Sequence, residues 1–125
     1  MNPEWICRNR DILGEADGAR LMARLLRLKN RPSAVFCGTD KLALGAMREA
    51  LRQGVRIPED LSIVGFGNTQ TAEDLNLSSV SQNSEKIVNS LCSNLHLVLR
   101  GEKPPRKILI PTSFFSRGSV GIPRS

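Results

Sequence analysis

Two short segments carry the residues best suited to chemistry. Gly38-Thr39-Asp40 follows the apolar run Ala34 to Cys37, and Gly65-Phe66-Gly67-Asn68 closes the run that begins at Leu61. In each, glycine lets the backbone come close to a ligand, and a small polar side chain stands beside it. If the preceding run is a strand of an open parallel sheet, such a segment lies beyond its carboxyl end, where ligands bind in sheets of this kind. Asp40 is also placed to cap a following helix, whose free N–H groups can receive an anion. Thr39, Asp40, Phe66, Gly67 and Asn68 are therefore the candidate ligand-binding residues. The same residues read equally as two ordinary turns with a helix cap.

Catalytic constellations are missing. His96 is the only histidine, and it sits between Leu95 and Leu97 inside a helical pattern, where it reads as a surface or core residue rather than a base. No Ser/His/Asp order, HExxH, phosphate-binding GxxxxGK or GxGxxG run occurs. Glu59-Asp60 and Glu73-Asp74 are acid pairs at turns, where they serve as caps and turn formers rather than general acids. Cys7, Cys37 and Cys92 are odd in number and widely spaced, with no CxxC pair. That argues against a disulfide scaffold or a zinc site and for a reducing, cytoplasmic compartment. Cys37 and Cys92 are both expected to be small buried hydrophobes. Neither an enzyme nor a cofactor nor a metal is expected.

The elements that must position these residues can be read from periodicity. Asp17 is expected to cap a helix from Gly18 to about Leu28, with Leu21, Met22, Leu25 and Leu26 on one side and Arg20, Arg24 and Arg27 opposite. Ser33 to Cys37 reads as a strand covered on both faces. Asp40 then caps a helix carrying Leu42, Ala43, Ala46, Met47, Ala50 and Leu51, which Gly54 ends. Leu61 to Phe66 is a second buried strand after the Pro58 loop. Together these make a right-handed βαβ unit, so the fold class is α/β with a parallel sheet. Gly67 to Asn76 is a loop or short helix. Ser84 is expected to cap a long amphipathic helix through Ile87, Val88, Leu91, Leu95, Val98 and Leu99, closed by Gly101. Lys107 to Ile110 and Ser113 to Phe115 are expected to be short strands, and Ser116 to Ser125 an irregular tail.

Composition sets the outer bounds. At 125 residues the chain can build one α/β domain but not two ordinary ones. Its 40% apolar content lies in periodic segments, which excludes global disorder. Lys plus Arg exceed Asp plus Glu by 18 − 12 = 6, so the chain is basic. That charge fits nucleic acid, an acidic ligand or an acidic partner, and equally mere solubility. No aromatic residues interleave with Arg100, Lys103, Arg106 and Lys107, and Tyr is absent, which leaves no stacking surface for single strands. No helix-turn-helix pattern is visible. Residues 1–10 lack an apolar signal core, and no stretch approaches ~20 apolar residues, so neither export nor membrane insertion is expected.

The run Arg31-Pro32-Ser33-Ala34-Val35-Phe36-Cys37-Gly38-Thr39-Asp40, followed by Leu42-Ala43-Leu44-Gly45-Ala46-Met47, resembles the second lobe of the lac repressor (LacI/GalR) family. So does Gly54-Val55-Arg56-Ile57-Pro58-Glu59-Asp60-Leu61-Ser62-Ile63-Val64-Gly65-Phe66, and Ile110-Pro111 with Arg117-Gly118-Ser119 is similar to the family's ending. The likeness runs from about Ile12 to Ser119. It implies an incomplete second lobe of the flavodoxin-like, periplasmic-binding-protein-like kind. The lobe would comprise residues 1–80 and 107–125, while 81–106 would form a helix belonging to an absent first lobe. It further implies a sugar, sugar-acid or nucleobase effector in the cleft, DNA contact only through a headpiece absent here, and a dimer interface at Leu44 and Met47, which also read as core positions. The unpartnered helix implies a homo-oligomer or a helix-swapped dimer. Two departures bear on the ligand: Thr39 replaces the usual Asn, and Gly67 replaces the usual Asp whose carboxylate would accept sugar hydroxyls. Gly-Phe-Gly resembles the branch that responds to gluconate-like acids, whereas a neutral effector or lost binding are the competing implications. The segment Leu75 to Val80 is shortened and lacks the usual Pro. Other readings from the same sequence are a sugar-binding protein of a transport system, a stand-alone pairing module and a small hydrolase-like fragment.

Overall fold

The computed structural model describes residues 2–7 and 14–122. Expectations that bear on residues 1, 8–13 and 123–125, such as the start of the family likeness at Ile12, lie outside the described residues. A short 3-10 turn at Pro3–Trp5 precedes four helices and four strands: α1 (Glu15–Leu26), β1 (Ala34–Phe36), α2 (Asp40–Arg52), β2 (Ser62–Phe66), α3 (Gln70–Asp74), β3 (Ser78–Ser81), α4 (Ser84–Leu99) and β4 (Ser113–Phe115). The strands form one sheet in the order β1-β2-β3-β4. β1, β2 and β3 run parallel, with Val35 opposite Ile63 and Gly65 opposite Ser79. β4 returns antiparallel to β3, with Val80 opposite Phe114. The expected α/β class with a parallel sheet is present.

Packing explains where the core lies. Ile63 and Gly65 alternate inward along β2; Ile63 shares one buried cluster with Ala43, Ala46 and Ala50 of α2 and Met22 of α1, and Gly65 lies against Asp40 and Leu77. The two helices touch backbone to backbone. A Cβ added to Gly18 would lie 2.1 Å from the carbonyl oxygen of Leu42, and one added to Gly45 would lie 1.8 Å from that of Glu15. Arg48 and Glu15 then pair across the crossing. Only glycine permits helices to approach this closely.

Several boundaries differ from expectation, each for a local reason. α1 begins at Glu15, not Gly18, and Asp17 is not the cap: it sits in the first turn and accepts the Gly14 N–H at 3.3 Å. β1 is not covered on both faces. Ala34 and Phe36 are exposed, and Phe36 meets the Phe66 ring edge-on, with α2 packed on the opposite, buried side of the sheet. Lys107 to Ile110 is not a strand; prolines at 104, 105 and 111 flank it, and no neighbour offers a ladder. The serine-rich β3 is a strand that propensity did not predict.

The α4 helix starts one residue after Asn83, which takes the left-handed φ of 55° and replaces Ser84 as the cap residue. Asn83 holds both of the connections that lead to and from the helix, bonding Pro111 O and Ser113 Oγ through its amide. No residue of α4 is buried, and Val88, Leu91, Leu95, Val98 and Leu99 are all exposed. Cys92, expected to be buried, is exposed on this helix, whereas Cys37 is buried as expected. Among the described residues no helix is long and apolar enough to cross a membrane.

Candidate functional site

The site grows from the start of α2. Thr39 has extended backbone, and its Oγ1 accepts the Leu42 N–H at 3.2 Å, so Thr39 caps the helix in place of Asp40. This frees Asp40, the first helical residue, for another task. Its side chain is buried, at 1% exposure. Oδ1 accepts from the Ser79 hydroxyl at 2.6 Å, and Oδ2 accepts from the Thr69 N–H at 2.7 Å and the Thr69 hydroxyl at 2.9 Å. A buried carboxylate is costly unless its oxygens are satisfied, and three donors plus the positive end of α2 meet that need. Gly65 makes the room: a Cβ there would lie 2.3 Å from Asp40 Oδ1.

The loop after β2 is thereby fixed from three sides. Gly67, at φ 126°, donates its N–H to Val80 O at 2.8 Å. Asn68, at φ 51°, donates its N–H to Ser79 Oγ at 3.1 Å. The third amide, that of Thr69, goes to Asp40. Three consecutive N–H groups are thus committed inward, so this loop does not offer its backbone amides to a ligand. Asn68 Oδ1 accepts from Arg117 Nη2 at 2.8 Å. Arg117 also donates from Nη1 to Leu77 O at 2.8 Å and stacks over Phe115, its guanidinium carbon 5.6 Å from the ring centroid. Its backbone N–H reaches Ser78 Oγ at 2.8 Å.

The structure therefore brings Asp40, Gly67 and Asn68 together through one network, with Thr39 at its edge and Phe66 half-buried beside Phe36. What remains uncommitted is the hydroxyl proton of the exposed Thr39, and Nδ2 of the half-buried Asn68, for which no partner is found among the described residues. Lys41 is exposed in the first turn of α2. Leu44 and Met47 lie half-buried on the same helix, and Met47 packs against the core. Sequence reasoning missed Thr69, Ser79 and Arg117. The available signal was the hydroxyl pair Ser78-Ser79 inside an otherwise apolar stretch.

Cys37, one residue before Gly38, is a thiol that burial pushes up to about 12, with the nearby Asp40 charge adding to the effect. It is correspondingly inert. A hollow of about 790 Å³ over the open face of β1 is lined by Trp5, Ile6, Pro32, Phe36 and Val64 among others, and by none of the five candidate ligand residues. Among the described residues, no group of His, Cys, Asp and Glu is arranged to hold a metal ion.

The family model described as a periplasmic binding protein-like domain matches residues 2–120. The chain belongs to the periplasmic binding protein-like domain family. Among relatives of this family, the chain is 34% identical over 120 residues to the NTD biosynthesis operon regulator NtdR of Bacillus subtilis, covering 88% of this chain and 36% of that protein. It is 44% identical over 84 residues to the HTH-type transcriptional repressor CytR of Escherichia coli, covering 66% of this chain and 24% of the repressor. A regulatory protein of the LacI family from Chloroflexus aggregans superposes with a TM-score of 0.85 at 29% identity, over 97% of this chain and 44% of that one. The chain thus matches the effector-binding domain of lac repressor-type regulators. These relatives are regulators of transcription rather than enzymes, and the chain spans about a third or less of the length of the curated relatives it matches.

Proposed function

We propose that this periplasmic binding protein-like chain is the effector-binding and dimerisation part of a bacterial transcriptional regulator of the lac repressor type, acting in the cytoplasm, with DNA read by a headpiece outside these 125 residues. The match of residues 2–120 to the family, with transcriptional regulators as relatives, carries this reading. Residues 1–80 and 107–125 form one lobe, and 81–106 supply a helix to the other; the wholly unburied α4 supports that division. Leu44 and Met47 on α2 contribute to the dimer interface.

The effector is a small sugar acid that meets Thr39, Phe66, Gly67 and Asn68. Asp40 shapes the loop from beneath, because its oxygens are already engaged. The support is the donor character of what is left outward: a hydroxyl proton at Thr39, an amide NH2 at Asn68 and the ammonium of Lys41, with glycine where a carboxylate would repel an acid. Charge-assisted hydrogen bonds of this kind are the strong ones. A thermal-shift series with gluconate and glucose tests the reading. Gluconate is expected to raise Tm and glucose to raise it less; equal shifts, or none, would remove the sugar-acid effector.

A further inference from the structure

We infer that Arg117 is a specificity-determining residue for this site: it locks the Asn68 side-chain amide so that the loop presents a hydrogen-bond donor and not an acceptor. The inference rests on the effector reading above and deepens it. An asparagine amide has one accepting end and one donating end, and rotation by 180° about its last bond exchanges them. A guanidinium has donors only. Arg117 Nη2, 2.8 Å from the Asn68 amide, therefore admits only Oδ1 at that position, which leaves Nδ2 as the opposite end.

Four observations make Arg117 a fixed reference rather than a mobile surface cation. Its side chain is only 16% exposed. Nη1 is held by Leu77 O, the main-chain N–H by Ser78 Oγ, and the guanidinium by the Phe115 face. Asn68 in turn has no freedom to move as a whole, since its N–H is held by Ser79 Oγ and its neighbour Thr69 by Asp40. The remaining freedom is rotation about the side-chain bonds, the amide flip included, and the bond from Arg117 restricts it. Lysine at this position has one ammonium in place of a two-pronged guanidinium and does not reach Leu77 O and Asn68 Oδ1 together.

Two measurements on the whole chain test this. The order parameter of the Asn68 side-chain NH2, read by 15N relaxation without ligand, is expected to be high in the native protein and to fall in Arg117→Lys; an NH2 that is equally mobile, or equally rigid, in both proteins would overturn the lock. The second measurement uses Asn68→Asp, which retains the bond to Arg117 and tolerates a positive φ but turns an acceptor outward. Gluconate affinity, read by thermal shift, is expected to fall by about tenfold or more, with glucose affinity changed by less than about threefold. Equal losses for both ligands would overturn the specificity role. Binding of neither ligand to the native chain would remove the sugar-acid reading, and the relaxation measurement would still decide the orientation of Asn68.

Discussion

At the scale of single residues, Asp40 and Cys37 show how burial decides what a side chain can do. Asp40 has the type and place of a helix cap, yet the neighbouring Thr39 caps the helix and Asp40 becomes the internal anchor of the loop after β2. Asp40→Ala leaves the buried Ser79 hydroxyl and the Thr69 amide without their acceptor. It is expected to cost about 3 kcal/mol, read as a lower midpoint in urea at unchanged slope. Asp40→Asn, which retains one acceptor, is expected to cost less. For Cys37 the sign follows from burial: the folded thiol ionises near 12, whereas the unfolded thiol ionises near 9. Between those values the unfolded chain loses a proton that the folded chain keeps. The thiol's contribution to stability is therefore intact below about pH 9 and declines as pH rises toward 12, by up to ~1.4 kcal/mol per unit. Cys37→Ala is expected to remove that component, checked by comparing the two proteins' urea unfolding at pH 8 and pH 10.5. In the native protein the exposed Cys92 is expected to alkylate readily and Cys37 only on unfolding.

At the scale of elements, the α1–α2 crossing is set by Gly18 and Gly45. Periodicity revealed both helices, because Leu21, Met22 and Leu25 on one and Ala43, Ala46 and Ala50 on the other recur at helical spacing. It gave no sign of how closely they approach. Gly45→Ala improves intrinsic helix propensity by roughly 1 kcal/mol. The added methyl nevertheless meets the Glu15 backbone oxygen and is expected to cost about 3 kcal/mol or more in net stability, by thermal or urea unfolding. Gly38→Ala, with nothing within 4 Å of its Cβ, is expected to be near neutral. The serine-rich β3 makes the complementary point. Its residues have little preference for a strand, but Ser78 and Ser79 are buried and bonded to Arg117, Ser119 and Asp40, and those bonds hold them in the sheet. Lys107 to Ile110 has the apolar composition of a strand and lacks a partner, so it is not one.

At the scale of the whole molecule, apolar surfaces left uncovered among the described residues include the face of β1 bearing Phe36 and the side of α4 bearing Leu91 and Leu95. Burying such a helix face is worth several kcal/mol at ~25 cal/mol per Å². The chain is therefore expected to self-associate, seen as a light-scattering mass that rises with concentration. Leu91→Asn with Leu95→Asn is expected to lower that mass and to make Tm independent of concentration, leaving the Tm of the dilute single chain unchanged, since neither side chain contributes to the core. A mass equal to one chain at every concentration would remove the oligomer from the functional reading.

The sequence alone determined the α/β class, the helix and two strands of the βαβ unit with the helix that precedes it, the position of the two glycine-bearing loops and the family likeness, though not that β1 is exposed on one face. All of these rest on local spacing: periodicity follows from the geometry of a single helix or strand, and a glycine between an apolar run and a helix marks a turn wherever it occurs. Only the tertiary structure decided which groups in the loops remain free. That Asp40 turns inward, that three loop amides are spent and that Asn68 faces Arg117 depend on residues 11 to 49 positions apart in the chain. Hydrogen-bond satisfaction is a property of the buried assembly, and no local pattern in the sequence specifies which donor will meet which acceptor.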